Sequence, residues 1–368
     1  MPEHHGEGPA APDHTRRARF FQIVAEAQAT HLPDNVDYLF QPFGVELPDP
    51  ALAGQRIDEQ LTILERATTL WNGLGDEASR GLLLRFLAYR ALGPVHVRLQ
   101  LEPDQYRRTV ISLGAHALRK GFVTHFPGLP VEWQIHHYDL RPFGLPFEVM
   151  GSPLPLASTM AFSQYAYRDE SVPAKPRHGD VVLDAGGCWG DTALWFAHAA
   201  GPAGMVHTFE PTPGNRRLLE QNLALNPGLA ERIHVWTDPL GPEPGVEVWM
   251  PDVIAAGATL QTQAGTTGEF ESIPMRTQTI DELVRDGAIP RVDFLKVDVE
   301  GADLGVLQGA AETIRTQRPR LAIACYHKPD DLVVIPDFVA GLGVDYRWYL
   351  QCSTMTDVDT VAFAVPVP

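Results

Sequence analysis

Residues 181–194 read VVLDAGGCWGDTAL: an apolar run, one acid, a cluster of glycines, then a second apolar run. A strand-length apolar stretch that passes through glycines into a helix-length one is a strand–turn–helix unit. Such a strand is buried on both faces only inside a sheet of parallel neighbours. The chain then repeats the alternation. GMVHTFEP, RIHVWTD, VDFLKVD and RLAIACY have strand character, while NRRLLEQNLALN, ADLGVLQGAAETIRT and DLVVIPDFVAGLG have helical or mixed spacing. Thr279 and Glu282 form a capping box ahead of LVRDG. VEVWM and ESIPMRT read as extra strands around a loop rich in glycine and threonine, 255–270. YRWYL and TVAFAVP read as a final antiparallel pair. The expectation is an α/β fold built on a mostly parallel sheet.

The first 150 residues have a different texture. A short helix is expected over 15–30. Residues 55–92 carry apolar positions at helical period (Ile57, Leu61, Leu64, then Leu82, Leu83, Phe86, Leu87) and are split by NGLGD. A further helix is expected over 103–121, followed by a hairpin from VEWQIHHYDL and LPFEVMG. The expected division is a disordered tail (1–14), a mostly helical domain for substrate capture or dimerisation (15–150), and an α/β domain (151–368). The chain has 29 basic and 46 acidic residues, a net charge of −17. Without basic blocks, that balance argues against nucleic acid or an anionic membrane as a partner. No apolar run approaches the roughly 20 residues of a membrane span, and the N-terminus lacks a signal-peptide core. The three cysteines include no CxxC pair, which predicts a reducing, cytoplasmic setting without a disulfide framework.

Set against the dinucleotide fingerprint, residues 185–190 (AGGCWG) have alanine where the first glycine belongs. Glu210 lies 20 residues beyond Gly190, at the next strand end, where an acid can take ribose hydroxyls. Asp184 at the strand tip would repel a pyrophosphate but attract a ligand bearing an ammonium and a sulfonium. S-adenosylmethionine is such a ligand, with Gly186, Gly187 and Gly190 letting the backbone approach it. As a structural alternative, Asp184 is a turn residue or helix cap. Asp238 closes the third strand and suits an adenine amino group, or is a loop residue. Asp298 ends the fourth strand and Glu300 follows it. They either position an acceptor hydroxyl, bind a divalent metal such as Mg, or stabilise a helix start. His327, after the fifth strand, reads as a general base, as a third metal ligand with Asp298 and Glu300, or as a packing residue. AFSQYAYRDE (161–170) is a candidate cofactor lid through Gln164, Tyr165 and Tyr167. Lys296 and Lys328 read as surface charges, and Cys188 as a buried packing residue.

GDVVLDAGGCWGDTALWFA, VHTFEP, VDFLKVDVEGADLGVLQGA and YHKPDDL together resemble the FkbM-type methyltransferases of the class I, S-adenosylmethionine-dependent fold. The resemblance covers about 160–368 and rests on four segments in order. It implies a Rossmann-like sheet of seven strands with the last antiparallel, and O-methylation of a hydroxyl on a natural product or sugar. It places Asp184, Gly186 and Gly190 in the first cofactor motif, Glu210 in the second, and Asp298, Glu300 and Gly301 in a DVEG segment. Where the family has GAN, this chain has GGC. The expected partner is a small-molecule hydroxyl acceptor, with homo-oligomerisation left open. Two rival functions use the same residues: a nicotinamide-dependent oxidoreductase, opposed by Asp184 and the missing glycine, and a non-catalytic binding protein that retains the fold.

Overall fold

The computed structural model describes residues 14–36, 48–125, 132–256 and 272–367. Of the tail expected over 1–14, residues 1–13 lie outside the described residues and His14 begins the first helix, and most of the 255–270 loop also lies outside them. The strands are β1 Ala117–His125, β2 Glu132–Asp139, β3 Glu148–Gly151, β4 Val181–Ala185, β5 Met205–Phe209 and β6 Ile233–Trp236. They continue with β7 Glu247–Pro251, β8 Ser272–Arg276, β9 Phe294–Val297, β10 Arg320–Ala324, β11 Tyr346–Cys352 and β12 Thr360–Pro366.

Seven strands form the main sheet in the order β11-β12-β10-β9-β4-β5-β6. β4, β5, β6, β9 and β10 run parallel, and β12 is antiparallel to both β10 and β11. The β4, β9 and β10 side chains are buried along their whole length. This is why those segments read as continuous apolar runs rather than alternating ones. The extra strands expected around the 255–270 loop pair as β7 and β8.

The N-terminal helices are His14–Gln28, Ala53–Arg66, Thr68–Gly73 and Glu77–Leu92. Asp76 caps the last of these, its carboxylate accepting from the Ser79 N–H. Their inward residues, among them Phe20, Leu64, Leu83 and Leu87, share one hydrophobic core with Leu183, Leu295, Ile323 and Leu350 of the sheet. Helix Glu77–Leu92 packs on β11, where Ser79 Oγ accepts from the Leu350 N–H at 3.0 Å. One expected helix is shortened. It ends at Ala115, and residues 117–125 instead form β1, paired antiparallel with β2. Residues 117–121 were read as helix because their pairing partner lies beyond the local window, and tertiary pairing overrode local spacing.

Candidate active site

The carboxyl ends of β4, β5, β6, β9 and β10 converge on a cavity of about 300 Å³, the place where open α/β sheets bind ligands. Gly186 forms part of its wall at φ +90°. A Cβ there would lie 1.9 Å from the Asp298 carbonyl oxygen, so the crossing of the two loops admits only glycine. Gly187 and Gly190 shape the same turn from outside the cavity. A Cβ on Gly187 would meet Thr208 Oγ1 at 2.1 Å, and Gly190 has φ +81°.

Asp184 is not in the cavity wall. It is fully buried, 3.1 Å from Lys296 Nζ, and its Oδ2 accepts from the Thr192 and Thr208 hydroxyls. The expected direct attraction between Asp184 and a cationic ligand is therefore replaced by an internal ion pair. Lys296, expected at the surface, is 1% exposed. Burial works against its charge, but Asp184 and Asp298 outweigh that and hold it above the ordinary lysine value. Its ammonium also donates to the Ala185 and Gly186 carbonyls, which ties β9 to the glycine turn.

Glu210 does line the cavity. Its Oε2 accepts from the Cys188 N–H and its Oε1 from the Thr212 N–H, both at 2.8 Å. Burial raises its carboxyl to about 7 against those bonds. Cys188, expected to be packing, faces the cavity in a left-handed conformation (φ +45°) that aims its N–H at Glu210. Trp189 also forms part of the cavity wall, packs with Ile135 and Leu218, and donates to Asn215 Oδ1 at 3.1 Å. Asp238 is exposed and outside the cavity wall, which its neighbours Pro239 and Leu240 form.

A second group of polar side chains meets in the same cavity. Tyr165 Oη donates to Asp298 Oδ2 at 2.7 Å, and Gln164 lies beside it in the wall. Both follow a single π-helical turn, Ala157–Ala161, which aligns Ser158 and Thr159 with the cavity. Tyr167 belongs to the core instead, bonded to Asp76 and packed on Tyr349 and Phe363. Tyr326 Oη stands 3.5 Å from both Asp298 Oδ1 and Asp359 Oδ1, and Ser158 Oγ donates to Asp359 Oδ2 at 2.9 Å. Burial, then the charge of Asp298, pushes Asp359 up to about 7.

His327 sits beside Asp298 and Glu300, with Asp303 as a further partner. Its Nδ1 bonds Asp303 at 2.8 Å, while Nε2 lies 3.4 Å from both Asp298 Oδ1 and Glu300 Oε2 without a hydrogen bond. Burial lowers its basicity, but the Asp303 bond together with Glu300 and Asp298 raises it to about 11. The three carboxylates around the ring favour its protonated form. Asp298, Glu300 and His327 still present three donor atoms within 4.8 Å of one another.

Asp303, Tyr326 and Asp359 escaped the sequence reading. The available signals were the acid two residues after DVEG's glycine and the acid ahead of the last strand, both of which read as ordinary helix and turn chemistry. Cys188, Glu300 and Asp359 all have positive φ without being glycine, and all three line the cavity. Strain of this kind collects at functional sites.

Residues 174–344 match the family model described as the methyltransferase FkbM domain. A curated relative, the hexuronic acid methyltransferase AglP of Haloferax volcanii, is 31% identical over 137 residues, which is 37% of this chain. That match spans 52% of the relative, about half its length. The crystal structure of methyltransferase FkbM from Methylobacillus flagellatus KT shares the fold, with a TM-score of 0.52 at 18% identity over 83% of this chain and 60% of that one. With the sheet order, the glycine turn and this domain match in agreement, residues 174–344 form a methyltransferase FkbM domain.

Proposed function

We propose that the protein is an S-adenosylmethionine-dependent O-methyltransferase acting on a hydroxyl of a small molecule, such as a polyketide, peptide or sugar moiety of a natural product. The observation that carries this reading is the charge of the cavity. Five acids line it (Asp191, Glu210, Asp298, Glu300, Asp359), and Lys296, the one Lys or Arg in its wall among the described residues, is committed to Asp184. A nicotinamide dinucleotide would bring its pyrophosphate against these acids with no free cation to receive it. S-adenosylmethionine has no phosphate and carries net positive charge at its reacting end. Glu210 keeps lone pairs for ribose hydroxyls, and Phe209, Pro239 and Leu240 offer apolar wall to a base. When bound, the cofactor supplies a methyl group on a sulfonium that leaves as a neutral thioether.

The chain's own residues then have separable tasks. Lys296 fixes the glycine turn. Tyr165 and Tyr326 orient Asp298, which positions the acceptor by accepting from a group next to the reacting hydroxyl. Asp359, with a pKa near neutrality, takes the proton as the oxygen attacks. The remaining contribution is positioning. The same acids make the cavity hostile to an anionic acceptor, so the hexuronic acid named for the AglP relative is a poor guide to the acceptor here.

Calorimetric titration tests the cofactor. S-adenosylmethionine is expected to bind saturably, and Glu210→Ala to weaken it at least tenfold. Binding of a nicotinamide dinucleotide in its place would sink the reading. Transfer of a labelled methyl group to a neutral alcohol acceptor should give an alkali-stable ether. An alkali-labile ester would move the reaction to a carboxyl group.

A divalent metal is a second use of Asp298, Glu300 and His327. Asp303 orients the His327 ring and leaves Nε2 buried and without a hydrogen bond, where a metal could replace its proton. The mixed N/O donor set suits Mn more than Mg, and ligation must displace the histidine proton. Titration of chelator-treated protein with Mn²⁺ should release protons. Heats identical to those of His327→Ala would remove the metal.

A further inference from the structure

A second cavity, of about 510 Å³, opens at the other end of the sheet. Arg320 begins β10. The register sets Leu321 opposite Ala364 and Arg347 opposite Val365, whereas the active-site end of β10, Ala324, faces Val361. Four residue steps of strand, roughly 13 Å, separate the two ends. The second cavity is lined by Arg177, Arg318, Arg320 and Arg347, and no acidic residue is among its lining residues. In a chain with 46 acids and 29 bases, four arginines around one concavity need a reason.

One of the four has a structural reason. Arg320 pairs with Asp180 at 2.6 Å and donates to the Lys175 carbonyl at 2.7 Å. The other three do not share it. Arg318 closes helix Ala311–Gln317 at φ +51°, a position that glycine usually occupies. Its Nη2 donates to the Val367 carbonyl, and its Nε is buried with no partner among the described residues. Arg177 and Arg347 are exposed, and neither guanidinium is engaged by a hydrogen bond or ion pair among the described residues. Pro173, Tyr349, Val365 and Pro366 supply apolar wall between the guanidinium groups.

We propose that this cavity binds a phosphate monoester with an apolar or aromatic body, at a site separate from the methyl-transfer cavity. Guanidinium forks match phosphate oxygens in pairs, and three arginines with uncommitted N–H groups meet the charge of a dianion. The apolar wall requires a body that inorganic phosphate lacks. The concave shape favours a small molecule over a flat protein surface, and the placement at the amino end of β10 keeps it apart from the acidic cavity.

Calorimetry with phenyl phosphate, inorganic phosphate and phenol tests both halves. Phenyl phosphate is expected to bind saturably, inorganic phosphate at least fivefold more weakly, and phenol not at all. The double variant Arg177→Gln/Arg347→Gln should lose at least tenfold in affinity for phenyl phosphate with unchanged circular dichroism and melting temperature, since both side chains are exposed. Absence of saturable phenyl phosphate binding up to millimolar concentration, or equal affinity in the double variant, overturns the site. Equal affinity for phenyl phosphate and inorganic phosphate overturns the ester and leaves an oxyanion site.

Discussion

Asp184 is a fully buried acid and Asp359 a half-buried one, and their partners assign them opposite work. Asp359 faces the cavity, bonded by the Ser158 hydroxyl at 2.9 Å and approached by the Tyr326 hydroxyl at 3.5 Å, so it can gain and lose a proton there. Asp359→Asn should lower kcat by roughly 100-fold, within the usual range for losing a general base. Cofactor affinity should stay within a few-fold, and the rise of activity with pH through about 7 should disappear. Steady-state kinetics across pH 5.5–8.5 checks this, and a retained inflection would clear Asp359 of the role. Asp184 has no such freedom, because Lys296 and two threonines enclose it. Lys296→Met would leave that carboxylate buried and unpaired, a loss of about 3–5 kcal/mol in stability by denaturant unfolding. Adding Asp184→Asn should recover much of it. No recovery would mean that Lys296 acts through the glycine-turn carbonyls alone.

At the scale of elements, the helix Glu77–Leu92 reaches the active site without lining it. Arg90 donates to Asp357 Oδ2 at 2.9 Å and to the Tyr326 carbonyl at 2.8 Å, gripping the segments that present Asp359 and Tyr326. Arg90→Ala should therefore reduce kcat about tenfold with little change in cofactor affinity, read from paired kinetics and calorimetry. Unchanged kcat would make the contact purely structural. This coupling shows what was legible in the sequence and what was not. β4, β5, β9 and β10 announce themselves because a fully buried parallel strand is a local apolar run. The glycine turn and Glu210 were legible because their spacing along the chain matches their spacing in the sheet. Asp303, Tyr326 and Asp359 were not, because each gains its role from a partner between 24 and 201 residues away (Asp303–His327 and Ser158–Asp359). β1 was misread for a similar reason, since its strand character comes from β2. Lys296 looked like a surface charge because periodicity reports burial but not what a buried ammonium pairs with.

For the whole molecule, the acid-rich composition and the buried carboxyls act in the same direction. Burial raises Asp191 to about 6 and Glu210 and Asp359 to about 7, against values near 4 in an unfolded chain. The folded protein thus binds more protons than the unfolded one between about pH 4 and 7, and these groups lose their stabilising share as pH rises through that window. Relief of repulsion within a net charge of −17 adds to the trend. The cofactor-free protein should melt at higher temperature at pH 5.5 than at pH 8 by differential scanning fluorimetry, with a smaller difference in Asp359→Asn. The reverse order would show that these acids are not buried as described. β12, latest of the seven strands in sequence, lies inside the sheet between β10 and β11 rather than at its edge, and Asp359 immediately precedes it. Until that strand inserts, both neighbours keep an open edge and the proposed base has no fixed address. The strand that fills the gap in the sheet therefore also fixes the proposed base beside the cavity.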